Sequence, residues 1–369
     1  MQSHRFDTNN GIARNMRIVS SAVFLLCGLG GIANAQVDDR LERAHEVADS
    51  DHAYIRGILV SINGRVISER YFHGAVADRP QNMKSLTKSV TSALIGIAIK
   101  EGFIESVDQR IDSILPEYFE RIDLPENYYN DLLVDRKRVR SYREQLTVRH
   151  LLSMTAGIHS FQKSFMFGFG HVDDIAAAYL GLPFSFRPGE QFQYSTAGAH
   201  VLSHIIERAT GLTTREFAQR YLFGPLDIQV SDWKVGPQAH ALGGTGLYLT
   251  ARDMAKFGQL YLDNGTFGDQ QILPDEWAAE SLAEQAQVFP PAHISYGYLW
   301  WRRAGNPATE DYFFASGTGG QFIFLLPKHD LMVVVVSDPD VPAEEFSARV
   351  EAVQAFAEQY LLYPLSAPE

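Results

Sequence analysis

Ser85-Leu86-Thr87-Lys88 opens the apolar run Val90 to Ile99, and the reading of the whole chain starts from this stretch. The pattern predicts a buried helix entered by a hydroxyl and an amine at spacing i, i+3, which places both on one helix face. A half-desolvated amine near the positive end of a helix dipole is disposed to act as a base. Ser85 therefore reads as a nucleophile and Lys88 as its proton acceptor, the equipment of a covalent serine hydrolase. The tetrapeptide also arises by chance, and a serine ahead of a helix often serves only as an N-cap. Other segments have to decide.

Phe192-Gln193-Tyr194-Ser195-Thr196-Ala197-Gly198 follows Pro188-Gly189 and precedes a predicted helix over Ala197 to Thr210, striped by Leu202, Ile205, Ile206 and Ala209 and stopped by Gly211. Tyr194 thus falls in a loop. It is either a phenol that relays a proton to a leaving group or a tyrosine that packs by its ring. Ala315-Ser316-Gly317-Thr318-Gly319-Gly320-Gln321 enters a predicted strand, Phe322 to Leu326. Glycines at a strand edge let a substrate approach the backbone, and N–H groups there, with that of Ser85, would hold the oxyanion of acyl transfer. The plain alternative is a glycine-rich turn.

Ile58 to Ile62 and Val66 to Tyr71 flank Asn63-Gly64, a strong hairpin signal. Gln321 to Leu326 and Leu331 to Ser337 form a second pair around Pro327-Lys328-His329-Asp330. Helical spacing marks Leu41 to Ser50, Leu151 to Met154, Val172 to Leu180 and Glu344 to Leu361. Strands at both ends with helices between them predict an α/β (α+β) fold. An antiparallel sheet is built from both chain ends and flanked by helices, with a mostly helical lobe inserted over about residues 112–235. Arg121 to Glu144, rich in Asp, Arg and Tyr, reads as a surface insertion.

The chain has 369 residues, 46% of them hydrophobic and 12% aromatic, enough for one two-lobed catalytic unit. Arg14 and Arg17 precede an apolar stretch from Ile18 to Ile32, and Ala33-Asn34-Ala35 ahead of Gln36 fits a small-x-small cleavage site. Residues 1–35 are therefore expected to be a signal peptide, and residues 36–369 an exported protein, periplasmic or secreted, with no stable membrane association. A membrane anchor fits less well, because the apolar core is short and interrupted by Gly28, Gly30 and Gly31. Cys27 is the one cysteine, and it lies in the removed segment, so thiol and disulfide chemistry drop out. The formal charge of −12 becomes −14 when three arginines and Asp7 leave with the signal, which disfavours nucleic acid as a partner.

Taken together, S-x-x-K, a Tyr-x-Thr second motif and a glycine-bearing third motif resemble the serine β-lactamase and penicillin-binding superfamily. The class C-like serine hydrolases are the nearest branch. The likeness extends to Leu146-Thr147-Val148-Arg149-His150-Leu151-Leu152-Ser153-Met154-Thr155-Ala156-Gly157, to Gly243-Gly244-Thr245-Gly246-Leu247-Tyr248-Leu249-Thr250-Ala251-Arg252-Asp253-Met254 and to Tyr296-Gly297-Tyr298-Leu299-Trp300-Trp301, about residues 50–360 in all. It implies Ser85 as nucleophile, Lys88 as general base and Tyr194 as proton shuttle. It further implies the backbone N–H groups of Ser85 and Thr318 as oxyanion hole, and Thr196, Ser316, Gly317 and Gly319 as substrate contacts. No cofactor and no metal are implied. The fold it implies is a sheet flanked by helices with an all-helical lobe.

Two departures bear on substrate. Branches that attack β-lactams or cell-wall peptides begin the third motif with a lysine or histidine that receives a carboxylate. Ala315 stands there instead, forgoing a charge-assisted hydrogen bond of about 1.5–3 kcal/mol. Thr196 replaces the commoner asparagine of the second motif. The Gly-Thr-Gly-Gly-Gln form is similar to the 6-aminohexanoate-dimer hydrolase branch and its esterase relatives, so the expected substrates are small carboxylic esters or amides. The rival expectations are a D,D-peptidase, penicillin-binding protein or β-lactamase, and a binding protein that keeps the fold without turnover. Phe161, Phe165, Phe167, Phe169 and Tyr179 either line an acyl pocket or pack the helical lobe. His200 and His204, spaced i, i+4, lack the third ligand and the H-E-x-x-H context of a metal site. No Gly-x-Ser-x-Gly elbow and no nucleotide-binding glycine loop is present. Nothing in the sequence sets the oligomeric state.

Overall fold

A computed structural model describes residues 22–120, 141–159, 172–289, 293–306 and 309–366, with side chains from residue 36 onward. Eight strands form one sheet, antiparallel throughout. In chain order they are β1 (Ile55–Ile62), β2 (Arg65–Tyr71), β3 (Ala286–Phe289), β4 (Ile294–Tyr296), β5 (Trp301–Arg303), β6 (Tyr312–Gly317), β7 (Gln321–Leu326) and β8 (Leu331–Ser337). Their spatial order is β2-β1-β8-β7-β6-β5-β4-β3, so strands from the two chain ends meet at the β1/β8 ladder, where Ile58 pairs with Val335 and Val60 with Val333. Asn63 and Gly64 turn the first hairpin with φ of +50° and +69°, the left-handed pair that a two-residue loop needs. The strands around the β1/β8 ladder and the second hairpin lie where the sequence places them. Strands β3 to β6 were not foreseen as strands, because they are three to six residues long and draw their pairing from tertiary contacts rather than local alternation.

All seven residues of β8 are buried, because both sheet faces are covered. Helices α1 (Ala22–Asp51) and α7 (Phe346–Ala357) close one face with Leu41, Val47, Val353 and Phe356 over Ile58, Val60, Phe324 and Val333. Against the other face, α2 (Thr87–Lys100) and α6 (Ala251–Leu262) bring Val90, Leu94, Met254 and Phe257 onto Leu59, Ile323, Leu325 and Val334. Each buried Val, Leu or Ile contributes about 1.5–3 kcal/mol over its exposed state.

Beyond α2 lie the helices α3 (Val148–Leu152), α4 (Ile175–Leu180) and α5 (Thr196–Thr210). α3 starts at a capping box between Thr147 and His150. α5 starts on Ser195, whose Oγ accepts from the Gly198 N–H, and ends at Gly211 with φ +71°. α1 runs unbroken through Ala35-Gln36. Among the described residues no helix is long and apolar enough to cross a membrane. Of the Arg121 to Glu144 insertion only Ser141 to Glu144 is described, and Phe161, Phe165, Phe167 and Phe169 also lie outside the described residues. Tyr179 is described. It is 2% exposed and packs in the core with Leu180 and Ile175, so it supports the packing alternative.

Candidate active site

Ser85 is the middle residue of a one-turn 3-10 helix, Lys84–Leu86, that feeds into α2. The turn is held from both sides. Lys84 takes φ +50°, unusual for a residue with a side chain, and its N–H donates to Asn82 Oδ1 at 2.9 Å. Met83 N–H donates to Leu247 O at 2.8 Å, and Asn82 pairs with Tyr248 and Gln81 with Leu249 in a short antiparallel ladder. The segment Gly243 to Leu249 is thus stitched along α2. Thr87 Oγ1 accepts from Leu247 N–H at 3.3 Å, and Thr91 Oγ1 donates to Gly243 O at 2.7 Å. A hydroxyl ahead of a helix whose residues Thr87 to Ala98 are all buried has little positional freedom.

Lys88 is 1% exposed, whereas Ser85 is half-buried. Its Nζ stands 3.1 Å from Ser85 Oγ and donates to Gly244 O at 2.8 Å. The ring centroid of Tyr194 lies 4.9 Å from the same nitrogen. Among the described residues the amine makes no ion pair, so a hydroxyl, a carbonyl and a phenol ring define its surroundings.

Tyr194 reaches this point from the loop ahead of α5. That loop is pinned to the end of α3: Gln193 N–H donates to Met154 O at 2.7 Å, and Gly189 N–H to Thr155 O at 2.8 Å. The tyrosine ring stacks on Trp301, with centroids 5.9 Å apart and planes 19° apart, and meets Tyr296 edge-on. Trp301 in turn stacks on Phe314, its partner across the β5/β6 ladder, at 6.0 Å and 11°. Tyr296 is buried, and burial together with the neighbouring Tyr194 oxygen pushes its phenol well above the usual range. A half-buried Phe192 completes an aromatic wall.

The third motif ends β6 and turns into β7. Gly317 pairs with Gln321, and Gly320 N–H donates to Gly317 O at 3.0 Å, closing a tight turn in which Gly319 and Gly320 have φ of +88° and +95°. Gly317 lies hard against the Ser85 turn: a Cβ there would meet Met83 O at 2.2 Å and Lys84 Cβ at 3.1 Å. Thr318 follows directly, half-buried, in the turn. Ala315 is 1% exposed and packs in the core on the α2 side of the sheet. Ser316 alternates to the face of Tyr312 and Phe314. Gly319 backs onto Asp338 and Pro339 at the end of β8. Thr196, the first residue of α5, is half-buried, and its Cγ2 and O would lie 2.9 Å from any Cβ at Gly244.

The structure therefore brings Ser85, Lys88 and Tyr194 together and sets Gly317 against the turn that bears Ser85, with Thr318 next in the chain. It adds three neighbours, of which the sequence singled out only His200, and that as a candidate metal ligand. They are the Gly244 carbonyl, for which only the Gly243-Gly244 pair hinted at close backbone approach, the Trp301 face and His200. His200 is 1% exposed, and its Nδ1 accepts from Gly244 N–H at 3.0 Å. Burial first, then the charges of Lys88 and His204, pushes its pKa well below the usual histidine range. The i, i+4 spacing serves packing within α5, where His204 Nδ1 lies 3.0 Å from His200 O.

A model of the beta-lactamase family matches residues 44–358. The 6-aminohexanoate-dimer hydrolase of Paenarthrobacter ureafaciens is 26% identical to this chain over 324 residues, 83% of the chain and 77% of that protein. The octameric penicillin-binding protein homologue from Pyrococcus abyssi superposes with a TM-score of 0.62 at 18% identity, over 91% of this chain and 78% of its own. EstCE1, a hydrolase with promiscuous acyltransferase activity, superposes at 0.65 and 18% identity, over 87% and 99%. At such identities the structural likeness speaks to fold alone.

Proposed function

The chain belongs to the beta-lactamase family, and on that premise we propose that it is a serine hydrolase cleaving small carboxylic esters or amides through an acyl-Ser85 intermediate. One observation carries the reading: the Ser85 hydroxyl lies 3.1 Å from a buried amine that is itself held on the Gly244 carbonyl. Geometry comes before basicity in choosing a proton acceptor, and Lys88 is the base within reach.

In the first step Lys88 takes the Ser85 proton while Oγ forms a bond to the substrate carbonyl carbon. The carbonyl π electrons move to oxygen, which the N–H groups of Ser85 and Thr318 receive. Collapse of that oxyanion re-forms the C=O and breaks the bond to the departing alcohol or amine. The proton held by Lys88 passes to the leaving group by way of the Tyr194 phenol. Water then adds to the acyl carbon and gives a proton to Lys88 along the same route. Collapse of this second oxyanion breaks the bond to Oγ, which takes that proton back as the carboxylic acid leaves.

The name of the Paenarthrobacter ureafaciens relative supports an amide-cleaving reaction. The apolar Ala315 position and the aromatic wall of Tyr194, Trp301 and Phe192 support a neutral substrate over one bearing the carboxylate of a penicillin or a D-alanyl terminus. A fluorophosphonate probe is expected to add one phosphonyl group to the wild-type chain, on the peptide that holds Ser85, and none to Ser85→Ala. Intact-mass and peptide spectrometry read both. Labelling at another residue, or none on folded wild-type protein, overturns the proposal.

The proposed setting is outside the cytoplasm, from the Ile18 to Ile32 apolar stretch and the Ala33-Asn34-Ala35 site. N-terminal sequencing of the exported protein should begin at Gln36. A chain that stays in the cytoplasm with residue 2 intact contradicts this.

A further inference from the structure

Three polar contacts converge on the Gly243-Gly244 pair where it passes between α2 and α5. Thr91 Oγ1 donates to Gly243 O at 2.7 Å, Lys88 Nζ donates to Gly244 O at 2.8 Å, and Gly244 N–H donates to His200 Nδ1 at 3.0 Å. The pair fits this gap because it has no side chains. A Cβ on Gly243 would meet Ser203 Oγ at 2.2 Å and Ala199 O at 2.5 Å, and one on Gly244 would meet Thr196 at 2.9 Å. The two faces of Gly244 are thereby divided, with its carbonyl holding the base and its N–H held by α5.

We propose that His200 is a positioning residue for the hydrolytic reaction: by accepting the Gly244 N–H it fixes the direction of the Gly244 carbonyl, and through that carbonyl the place of Lys88 Nζ beside Ser85. The inference rests on the reading of Ser85 and Lys88 as nucleophile and base.

The chemistry of the imidazole suits the task. To accept at Nδ1 the ring must be neutral with its proton on Nε2, and a protonated ring would present a donor to a donor. Burial holds His200 in the neutral form. Lys88 has a long side chain with four rotatable bonds and, among the described residues, no carboxylate to orient it, so the Gly244 carbonyl acts with Ser85 and the Tyr194 ring to restrain its amine. Removing the acceptor leaves a buried N–H without its partner, and the peptide is then free to rotate its carbonyl away. Tyr194 and Thr196 lie six and four residues before His200, on the loop and first turn of the same helix. His200 thus ties the second-motif segment to the base through a single peptide unit.

The test is steady-state hydrolysis of a p-nitrophenyl ester by His200→Leu, His200→Asn and Ile205→Ala, with thermal unfolding measured on each. An asparagine Oδ1 sits near the place of the histidine Nδ1, whereas leucine fills the volume with no acceptor. His200→Leu is expected to lose about 10²-fold in kcat with KM within about twofold, the cost of misplacing a reacting group by an ångström or so. His200→Asn should recover most of that loss. Ile205→Ala, equally buried in α5 and outside the Gly244 contacts, should lower the melting temperature and leave kcat unchanged.

Equal losses in the leucine and asparagine variants, or a loss in Ile205→Ala matching that of His200→Leu, would overturn the inference. Should His200→Leu fail to fold, His200→Gln takes its place. Its amide overshoots the Nδ1 position, and a rate equal to that of His200→Asn would count against the proposal. Lys88→Met separates the two levels of argument. If it keeps wild-type rate, the reading of the site itself fails; if it is inactive while His200→Leu keeps wild-type kcat, only the role of His200 fails.

Discussion

Lys88→Met is expected to lower kcat/KM for a p-nitrophenyl ester by about 10²–10⁴-fold, the span that a positioned general base contributes. Methionine keeps the length and most of the volume of the lysine stem, so α2 should pack as before around a residue that is 1% exposed. Two opposing effects act on stability. Loss of a buried amine with no ion-pair partner among the described residues favours the variant, while Gly244 O loses its donor at a cost of about 1–3 kcal/mol. The expected change in melting temperature is therefore small beside the kinetic change, and this separates a chemical role from a structural one. Stopped-flow labelling by a fluorophosphonate should slow in step with ester turnover, because both reactions need the Ser85 proton removed. A variant that turns over ester within threefold of wild type would remove Lys88 from the mechanism, and with it the 3.1 Å contact as the centre of the site.

The parts of this architecture that carry their own local physics could be read from residues. Asn63-Gly64 supplies its turn conformation wherever it stands between β-branched runs, and α5 carries both its apolar stripe and its glycine stop. The Ser85 to Lys88 spacing fixes a common helix face before any packing is known. Strands β3, β4 and β5 could not be read in this way. At three or four residues each they exist because a neighbour is already present to pair with, as Trp301 does with Phe314. The partners of Lys88 were hidden for a different reason. A backbone carbonyl has no residue-type signature, and Gly244 reports its role only through the close approach it permits to Thr196 and His200. His200 was legible as a candidate metal ligand and not as an acceptor, since its partner lies 44 positions away in sequence.

The same absence of a side chain makes Gly317→Ala the second decisive substitution. The new methyl carbon would stand 2.2 Å from Met83 O, 3.1 Å from Lys84 Cβ and 3.2 Å from Gln321 Cβ. The first of these is backbone, so no rotamer change relieves it. Relief needs roughly 1 Å of movement to restore ordinary contact, either by the turn that bears Ser85 or by the β6/β7 hairpin that bears Thr318. Met83 is fastened to Leu247, and Gly317 is fastened to Gln321, so neither side yields freely. Overpacking of this kind costs about 1–3 kcal/mol in stability. The larger effect is on rate, because the displacement separates the nucleophile from the third-motif N–H that is proposed to receive the oxyanion. A loss of about 10²-fold in kcat is expected, the penalty for an ångström of misalignment. Turnover and fluorophosphonate labelling should fall together, since both place negative charge on an oxygen in the same pocket. If Gly317→Ala keeps wild-type kcat while its melting temperature drops, the hairpin is a packing element only. The oxyanion would then be held elsewhere along the Ser85 turn.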